Sequence, residues 1–306
     1  MIAVLGSANI DLVFQVTRFP QFGETIPGVS YGRFPGGKGA NQAVACGRLG
    51  AQVLFLGKIG ADPFGQELLR SLTTSGVNTD LVEIEERVHT GTTAIFVSPQ
   101  GQNAILYFAG ANVLVDEAYV DKVFDYIKSA SILLTQFEIP LKTIAYLLRK
   151  LPPEKPLVIL DPAPVYDLTG FPLERVDILT PNATELRELT GTSDIRVAGR
   201  KLLERGVKRV ICKVGEDGAW LVKQDEIVHF PAFKIVPVDT TAAGDAFNGA
   251  LAVAIEQGFT LEESIRWANA AGALACSRKG AQPSLPYRAE LERFLEQNAM
   301  PSERKA

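Results

Sequence analysis

The stretch Asp239-Thr-Thr-Ala-Ala-Gly-Asp245-Ala-Phe-Asn-Gly249-Ala-Leu251 begins as a turn and continues as a helix. Ala242, Ala243 and Gly244 have little or no side chain, so their backbone N–H groups can approach a ligand closely. A turn of this kind at a helix start favours an anion, because free N–H donors and the positive end of the helix dipole point at it. Asp245 follows directly. Its carboxylate either takes a proton from an attacking hydroxyl or only caps the helix.

Composition limits the classes of function that remain. The chain has 306 residues, 46% of them hydrophobic, which suffices for one large α/β domain or two ordinary ones. Its formal net charge is −4 and no Lys/Arg-rich block occurs, so we expect no nucleic-acid partner. Cys46, Cys212 and Cys276 are far apart, which indicates neither a disulfide framework nor a zinc site. No apolar run reaches membrane-spanning length and no signal peptide is apparent, so we expect a cytoplasmic protein without a membrane partner.

Strand-like and helical patterns alternate along the chain. The strand-like runs are Ile2–Leu5, Val53–Leu56, Ile132–Leu134, Leu157–Leu160, Ile178–Leu179, Val210–Lys213 and Ala219–Val222. The helical patterns are Ala40–Leu49, Gly65–Thr73, Glu117–Ser129, Lys142–Arg149, Glu185–Leu189, Val197–Arg205, Ala246–Gln257, Leu261–Ser277 and Arg288–Gln297. The alternation predicts an α/β fold with a mainly parallel sheet covered by helices on both faces. Ligands of such sheets bind at the carboxyl ends of the strands.

Two segments, of about 12–35 and 90–110, contain strand-like runs with no helix between them. Within the second, Ser98-Pro-Gln-Gly-Gln102 is a hairpin signal. We expect these segments to form a small antiparallel sheet that projects as a lid and excludes water from a site. Because an apolar sheet face needs cover, we also expect a homodimer joined through the lid. The rest is predicted to be one domain over residues 1–298, with a C-terminal tail over 299–306.

A second glycine-rich stretch reads Gly32-Arg-Phe-Pro-Gly36-Gly37-Lys38-Gly39-Ala-Asn41-Gln42. It nearly fits a P-loop, but Gly39 stands where a Ser or Thr must supply a hydroxyl to Mg²⁺, so we reject that interpretation. The glycines still allow the backbone to approach a small ligand. Lys38 and Asn41 add fixed polar groups, which suits a polyol such as a sugar. A tight turn before a helix would explain the glycines but not these two side chains.

Other polar residues follow predicted strands. Asn9 and Asp11 lie near the end of the first strand and alternate to one side, so both can meet a substrate hydroxyl or form an Asx turn. Glu138 follows another strand, either as a ligand group or as a solvated loop acid. Asn182 and Glu185 are three residues apart at a helix start. They can hold Mg²⁺-bound water and phosphate oxygens, or form a capping box.

The turn Lys213-Val-Gly215-Glu-Asp-Gly218 suits either a bound nucleotide or a hairpin. Each of these motifs is weak alone, but their joint order is specific. Taken in order, the chain resembles the ribokinase branch of the ribokinase-like (PfkB) carbohydrate kinases from residue 2 to about residue 297. The resemblance rests on Asn9-Ile-Asp11, Gly36-Gly-Lys-Gly-Ala-Asn41-Gln, Asn182-x-x-Glu185, Asp239-Thr-x-Ala-Ala-Gly-Asp245-x-Phe-Asn-Gly249 and Arg278-Lys-Gly-Ala-Gln-Pro-Ser284.

The resemblance implies a three-layer α/β/α domain with a β lid and ATP-dependent phosphorylation of D-ribose at O5, with Mg²⁺ and an activating K⁺. It makes Asp245 the catalytic base, with the anion hole formed by Ala242, Ala243 and Gly244. The sugar-binding positions would be Asn9, Asp11, Gly37, Lys38, Asn41 and Glu138. The ATP-binding positions would be Asn182, Lys213, Gly215, Gly218, Gly244 and Asn269, with Glu185 organising Mg²⁺ and phosphate. The monovalent-cation site would comprise Asp239, Thr241, Ala275, Arg278, Gly280 and Ser284.

Two positions depart from the pattern of the wider family. Lys213 stands where some members carry Thr, so contacts to the nucleotide phosphates would differ there. Ala242 stands where Gly is usual, which favours the ribokinase branch over fructokinase-like or adenosine-kinase-like members.

Alternative functions remain open. The same chemistry could act on deoxyribose, another pentose or ketose, or a nucleoside. A non-catalytic sugar or nucleotide sensor is a different class, against which the intact Asp245 and its anion hole argue. A dinucleotide-dependent oxidoreductase is disfavoured, because Gly6-Ser-Ala-Asn9 lacks the Gly-x-Gly-x-x-Gly pattern.

Overall fold

The structure is a computed structural model that describes residues 1–298. The predicted tail over 299–306 lies outside the described residues. The strands are β1 (Ile2–Leu5), β2 (Asn9–Val16), β3 (Gly28–Gly36), β4 (Val53–Leu56), β5 (Lys58–Gly60), β6 (Val77–Asn78), β7 (Glu83–Glu85), β8 (Gly91–Val97), β9 (Asn103–Phe108), β10 (Ile132–Gln136), β11 (Leu157–Asp161), β12 (Ile178–Leu179), β13 (Val210–Lys213), β14 (Ala219–Val222) and β15 (Ile227–Phe230). The helices are α1 (Lys38–Arg48), α2 (Pro63–Thr74), α3 (Glu117–Ser129), α4 (Leu141–Lys150), α5 (Ala183–Thr190), α6 (Ile195–Glu204), α7 (Ala243–Glu256), α8 (Leu261–Cys276) and α9 (Arg288–Gln297).

A nine-stranded sheet forms the centre, in the order β15-β14-β13-β12-β11-β10-β1-β4-β6. Pairing is parallel from β13 to β6, and only the β13–β14 and β14–β15 pairs are antiparallel. Strand β1 lies between β10 and β4, with Ile2 aligned to Ile132 and Val53. The predicted mainly parallel sheet is therefore confirmed.

Both faces of the sheet are buried. Successive side chains of a strand point to opposite faces, so Ile2 and Val4 pack on one side and Ala3 and Leu5 on the other. Helices α1, α2, α7, α8 and α9 cover the first face, whereas α3, α4, α5 and α6 cover the second. This is the expected α/β/α arrangement, and it explains why the strand sequences are continuously apolar. Within residues 1–298, no helix is long and apolar enough to cross a membrane.

A second sheet projects from the main one, in the order β3-β2-β8-β9. The β2–β3 and β8–β9 pairs are antiparallel, which confirms the expected small antiparallel sheet. A parallel pairing of β2 with β8, from Asn9 with Gly91 to Gln15 with Val97, joins the two pairs. Edge strand β9 exposes about half of each of four large side chains, namely Ile105, Leu106, Tyr107 and Phe108.

The path of the chain after β1 corrects one prediction. Strand β1 ends at Leu5, and Asn9 and Asp11 belong to β2 of the projecting sheet, not to the end of the first strand. The chain turns at Gly6, where its backbone lies against the start of α1. A Cβ built on Gly39 would stand 2.7 Å from the Cα of Gly6. Sequence spacing alone does not reveal this crossing, because the two residues are far apart along the chain.

Candidate active site

The carboxyl ends of β1, β10, β11 and β13 meet the starts of α1 and α7. Polar side chains from α1, α7, β11 and β13, and from Glu138 just after β10, converge at this edge, as expected for a parallel sheet. They comprise Lys38, Asn41, Gln42, Glu138, Asp161, Lys213 and Asp245.

Asp245 is buried in the first turn of α7. Its Oδ2 accepts a hydrogen bond from Asn41 Nδ2 (2.9 Å), and its Oδ1 accepts one from Gln42 Nε2 (3.1 Å). Because no side chain of residues 1–298 caps α7, the helix-cap interpretation of Asp245 is wrong. Burial raises the pKa of Asp245 to about 6. The charge of Lys38 opposes this rise, and the charge of Asp161 adds to it. Near neutral pH the carboxylate is ionised and can accept a proton.

Within residues 1–298 no side chain caps the start of α7, although the backbone N–H of Ala243 donates to Thr240 O (3.3 Å) in the turn that precedes it. Ala242 has φ 59 and is the only residue other than glycine with a positive φ among residues 1–298. That conformation costs roughly 1–2 kcal/mol, which points to a functional constraint. Lys213 Nζ lies 3.4 Å from the position of a Cβ built on Gly244, so the ammonium group faces the same place.

Glu138 organises the side of the site next to β2. Its Oε2 accepts hydrogen bonds from Ser7 Oγ (2.5 Å), from the backbone N–H of Lys38 (3.0 Å) and, more weakly, from Asn9 Nδ2 (3.5 Å). Glu138 is therefore not a solvated loop acid. Asn9 is fixed further, because its Oδ1 accepts from Asn112 Nδ2 at 2.7 Å.

Asp11 follows on the same face of β2. Burial raises the pKa of its carboxyl to about 6; the Thr93 hydroxyl opposes that rise, and the charges of Glu138 and Asp245 add to it. Gly37 has φ 86, and a Cβ there would stand 2.7 Å from the backbone nitrogen of Asn9. The glycine thus lets the start of α1 lie directly against β2, so that both elements border the polar cluster.

Asn182 and Glu185 form the capping box that the sequence left as an alternative. Asn182 Oδ1 accepts from Glu185 N (2.9 Å), and Glu185 Oε2 accepts from Asn182 N (2.7 Å). Burial and the charge of Asp161 raise the pKa of Glu185, while Lys213 lowers it. A cation bound nearby would favour the charged form of this carboxyl.

The segment from Gly215 to Gly218 is a hairpin turn between antiparallel β13 and β14. Gly218 has φ 94, and a Cβ there would stand 2.1 Å from the carbonyl oxygen of Phe230. Asn269 donates to that same carbonyl (3.2 Å) and to Pro231 O (3.3 Å). The structure therefore brings Gly218 and Asn269, two of the predicted ATP-binding positions, together at the end of β15.

The predicted cation site is only partly assembled by direct contacts. Asp239 Oδ1 accepts from Thr241 N (2.9 Å) and Oγ1 (2.6 Å), and its Oδ2 accepts from Gly280 N (2.9 Å). Burial alone would raise the pKa of Asp239, but these hydrogen bonds bring it below its ordinary value. Arg278 pairs with Glu290 (2.7 Å), so its charge points towards α9. Ala275 and Ser284 are buried, and Ser284 Oγ donates to Ala281 O.

The sequence interpretation missed Asp161 and the role of Gln42. Asp161 ends β11 and is 1% exposed. Its Oδ1 accepts from Lys213 Nζ (2.9 Å), and its Oδ2 accepts from Gln42 Nε2 (3.1 Å) and lies 3.9 Å from Lys38 Nζ. Burial raises the pKa of Asp161, but the charges of Lys213 and Lys38 bring it below the ordinary value. The available signal was an acid placed directly after the apolar run of β11.

Tyr107 was missed as well. It comes from β9 of the projecting sheet, and its hydroxyl lies 3.4 Å from the carbonyl oxygen of Glu138. Burial of that hydroxyl and the charge of Glu138 raise its pKa. The projecting sheet therefore reaches the polar cluster itself.

Comparison with known proteins places this geometry in a family. Residues 1–288 match the family described as pfkB family carbohydrate kinase. The chain is 37% identical over 298 residues to the ribokinase of Bacillus subtilis, covering 96% of this chain and 99% of that protein. It is 35% identical over 303 residues to the deoxyribokinase of Salmonella typhimurium, with 97% and 99% covered.

Solved structures agree. The ribokinase of Thermotoga maritima matches with a TM-score of 0.90 and 39% identity, covering 96% of this chain and 99% of the other. The ribokinase of Arabidopsis thaliana, complexed with ribose and ATP, matches with a TM-score of 0.91 and 34% identity, with 96% and 98% covered. The match over nearly the whole chain shows that the protein belongs to the pfkB family of carbohydrate kinases.

Proposed function

We propose that the protein transfers the γ-phosphoryl group of ATP to O5 of D-ribose, giving D-ribose 5-phosphate and ADP. The observation that carries the proposal is a buried base, Asp245, set between an uncapped helix start and the polar groups of β2 and Glu138. Similarity to a ribokinase complexed with ribose and ATP supports this choice of acceptor. Because the reaction consumes ATP, we place the protein in the cytoplasm.

The residues divide into three groups in this proposal. Asn9, Asp11 and Glu138 hold the hydroxyls of the acceptor, and Asp245 accepts the proton from O5 as the new bond forms. The N–H groups of Ala242 to Gly244 stabilise charge on the transferring phosphoryl group. Lys38 contacts the sugar. ATP is contacted by Lys213 and by the Asn182, Gly215, Gly218 and Asn269 positions.

Magnesium fits the acidic side of the site. When bound with ATP, Mg²⁺ neutralises charge on the phosphoryl group. Glu185 is the residue proposed to hold its water, because it is an acidic oxygen donor whose half-buried carboxyl lies near the charge of Asp161.

The first prediction concerns acceptor choice. In a closed site, 2-deoxyribose would leave one polar group without a partner, at a cost of roughly 1–3 kcal/mol. We therefore expect kcat/KM for ribose to exceed that for 2-deoxyribose by roughly 5- to 150-fold. Asn9→Leu should narrow the ratio, whereas Asn78→Leu, at an exposed position on β6, should not. ADP release with a panel of pentoses, hexoses and nucleosides measures this. Equal efficiency on both sugars, or a better hexose or nucleoside, would refute the ribose assignment.

A second prediction is activation by potassium. Asp239 fixes both Thr241 and Gly280, so hard oxygen atoms around one carboxylate lie beside the loop that forms the anion hole. We propose that K⁺ binds there with Ala275, Arg278 and Ser284 contributing through the adjoining backbone and hydroxyl. Turnover should fall when K⁺ is replaced by a bulky organic cation at constant ionic strength and saturating Mg²⁺. Potassium should restore it better than sodium does. Indifference to the exchange would mean that these residues only pack the end of α8.

A third prediction concerns assembly. We propose that two copies pair through the projecting sheet, because β9 is an unpaired edge with a row of exposed apolar side chains. Sedimentation should show a dimer, and Ile105→Glu, directly opposite Ile95 in the β8–β9 pair, should shift it to a monomer. Ile84→Glu, at an exposed position on β7 outside that sheet, should leave the dimer intact. A monomeric wild type at working concentration would contradict the proposal without affecting the role of the sheet as a lid.

A further inference from the structure

We propose that Asp161 is a positioning residue for phosphoryl transfer. It holds Lys213 towards the anion hole and, through Gln42, fixes the orientation of Asp245. The proposal needs only a kinase of this family with Asp245 as its base. The role of Asp161 does not depend on which sugar accepts the phosphoryl group. Either the role of Asp161 or the ribose assignment can therefore fail while the other stands.

Burial makes the partners of Asp161 obligatory. Taking a carboxylate out of water costs several kcal/mol unless charged groups and hydrogen bonds compensate. Asp161 is 1% exposed, and both of its oxygens are occupied: Oδ1 by Lys213 and Oδ2 by Gln42. A buried acid of this kind holds its neighbours in place, because the loss of any one of them leaves the charge of the carboxylate less well compensated.

Gln42 transmits this constraint to the base. It is fully buried, and its Oε1 accepts a hydrogen bond from Gln136 Nε2 at 2.7 Å. That contact directs the Gln42 amide nitrogen towards the two acids. The nitrogen donates one hydrogen to Asp161 and one to Asp245, both at 3.1 Å. Movement of either carboxylate therefore disturbs the other.

Lys213 extends the network to the other side of the reaction. Its ammonium lies 2.9 Å from Asp161 and faces Gly244 of the anion hole. Without Asp161, the ammonium would be free to turn towards Glu185 or Asp245, the other acids of the cluster. Asp161 thus selects the position from which Lys213 can meet a phosphate oxygen.

The ionisable groups around the base predict how its titration responds. Lys38 from α1, Lys213 from β13, Glu185 from α5 and Asp161 from β11 all face this cluster, with Asp11 of β2 on the acceptor side. Removing the charge of Asp161 should lower the pKa of Asp245, since a like charge disappears. Removing the amide of Gln42 should raise that pKa, since a hydrogen bond to the charged form disappears.

The decisive experiment compares Asp161→Asn, Lys213→Thr and the double variant, with the best acceptor and varied ATP. Asp161→Asn keeps the shape of the side chain, and we expect kcat/KM for ATP to fall roughly 10- to 100-fold. The double variant should lose little more than either single variant, because the two residues act as one unit. The acid limb of kcat/KM should move to lower pH in Asp161→Asn and to higher pH in Gln42→Met.

Asp177→Asn is the matched control. Asp177 is also an acid paired with a lysine, since it accepts from Lys208 (2.6 Å) and from Val158 N (2.8 Å). It lies just before β12, at the amino end of the sheet and away from the site. We expect a lower Tm for this variant with unchanged kinetics and pH profile.

Three results would overturn the proposal. One is additive losses in the double variant, which would make the two residues independent. Another is a lower Tm with normal kinetics in Asp161→Asn, which would make the pair a structural tie between β11 and β13. The third is shifts of the acid limb in the same direction for Asp161→Asn and Gln42→Met. Should Asp161→Asn fail to fold, an unmoved acid limb in Gln42→Met together with normal ATP kinetics in Lys213→Thr would refute it.

Discussion

Asp245→Asn should lower kcat by about 10²- to 10⁴-fold while the protein still folds and binds ATP. The substitution keeps the shape of the side chain but removes the carboxylate that is proposed to accept the proton. Folding should be weakened only modestly, by roughly 1–3 kcal/mol. The reason is that Asn41 and Gln42 donate to different oxygens of Asp245, and in an amide an NH₂ group replaces one of these oxygens.

The pH profile gives the same prediction an independent readout. Because the pKa of Asp245 is raised to about 6, the wild type should lose kcat/KM as the pH falls through that value and the carboxyl becomes protonated. Asp11 titrates in the same range, so the fall should be steeper than that of a single group. Asp245→Asn should lack the part of the acid limb that belongs to the base.

Asp125→Asn is the control for this experiment. Asp125 lies on α3, with its side chain 86% exposed and paired with Lys128. Its replacement should change neither turnover nor the pH profile. Near-normal turnover of Asp245→Asn, in a preparation free of wild-type enzyme, would remove Asp245 as the base.

Gly39→Ala should have the second-largest effect, on both stability and activity. A Cβ there would lie 2.6 Å from the backbone nitrogen of Ser7 and 2.7 Å from Gly6, and neither is the end of a flexible side chain. The backbone must shift, at a cost of roughly 1–3 kcal/mol that offsets or exceeds the roughly 1 kcal/mol gained from the helix propensity of Ala. Since α1 also carries Asn41 and Gln42, a displacement of about 1 Å should lower kcat/KM by about 100-fold.

Thermal unfolding and steady-state kinetics measure the two effects together. Gly28→Ala, on β3, is the matched control: the nearest atom to its added Cβ is 3.9 Å away, and its φ is not positive. We expect that variant to resemble the wild type. An unchanged Tm and unchanged kcat/KM in Gly39→Ala would show that the crossing of β1 and α1 is not tightly packed.

Local pattern predicted most of the sheet and its helices, because continuously apolar runs such as Leu157–Leu160 need cover on both faces. The hairpin between β8 and β9 followed from its glycine turn in the same way. Contacts between distant residues could not be predicted. Gln42 and Asp161 are 119 residues apart, and only their packing shows that one amide serves two acids. Gly39 was interpreted as making room for a ligand, whereas its lack of a side chain makes room for the backbone of Gly6.

Strand β2 links acceptor binding to the hydrolysis of ATP by water. Asn9 and Asp11 lie at the start of this strand, which pairs along its length with β3 and β8 of the projecting sheet. An acceptor bound at Asn9 and Asp11, as proposed, would contact the strand on which the projecting sheet is built, and its binding would be coupled to the position of that sheet. A poor acceptor that does not contact Asn9 and Asp11 would not close the projecting sheet, and water could then reach the phosphoryl group. Loss of a sugar hydroxyl should then appear as uncoupled hydrolysis of ATP in addition to weaker binding.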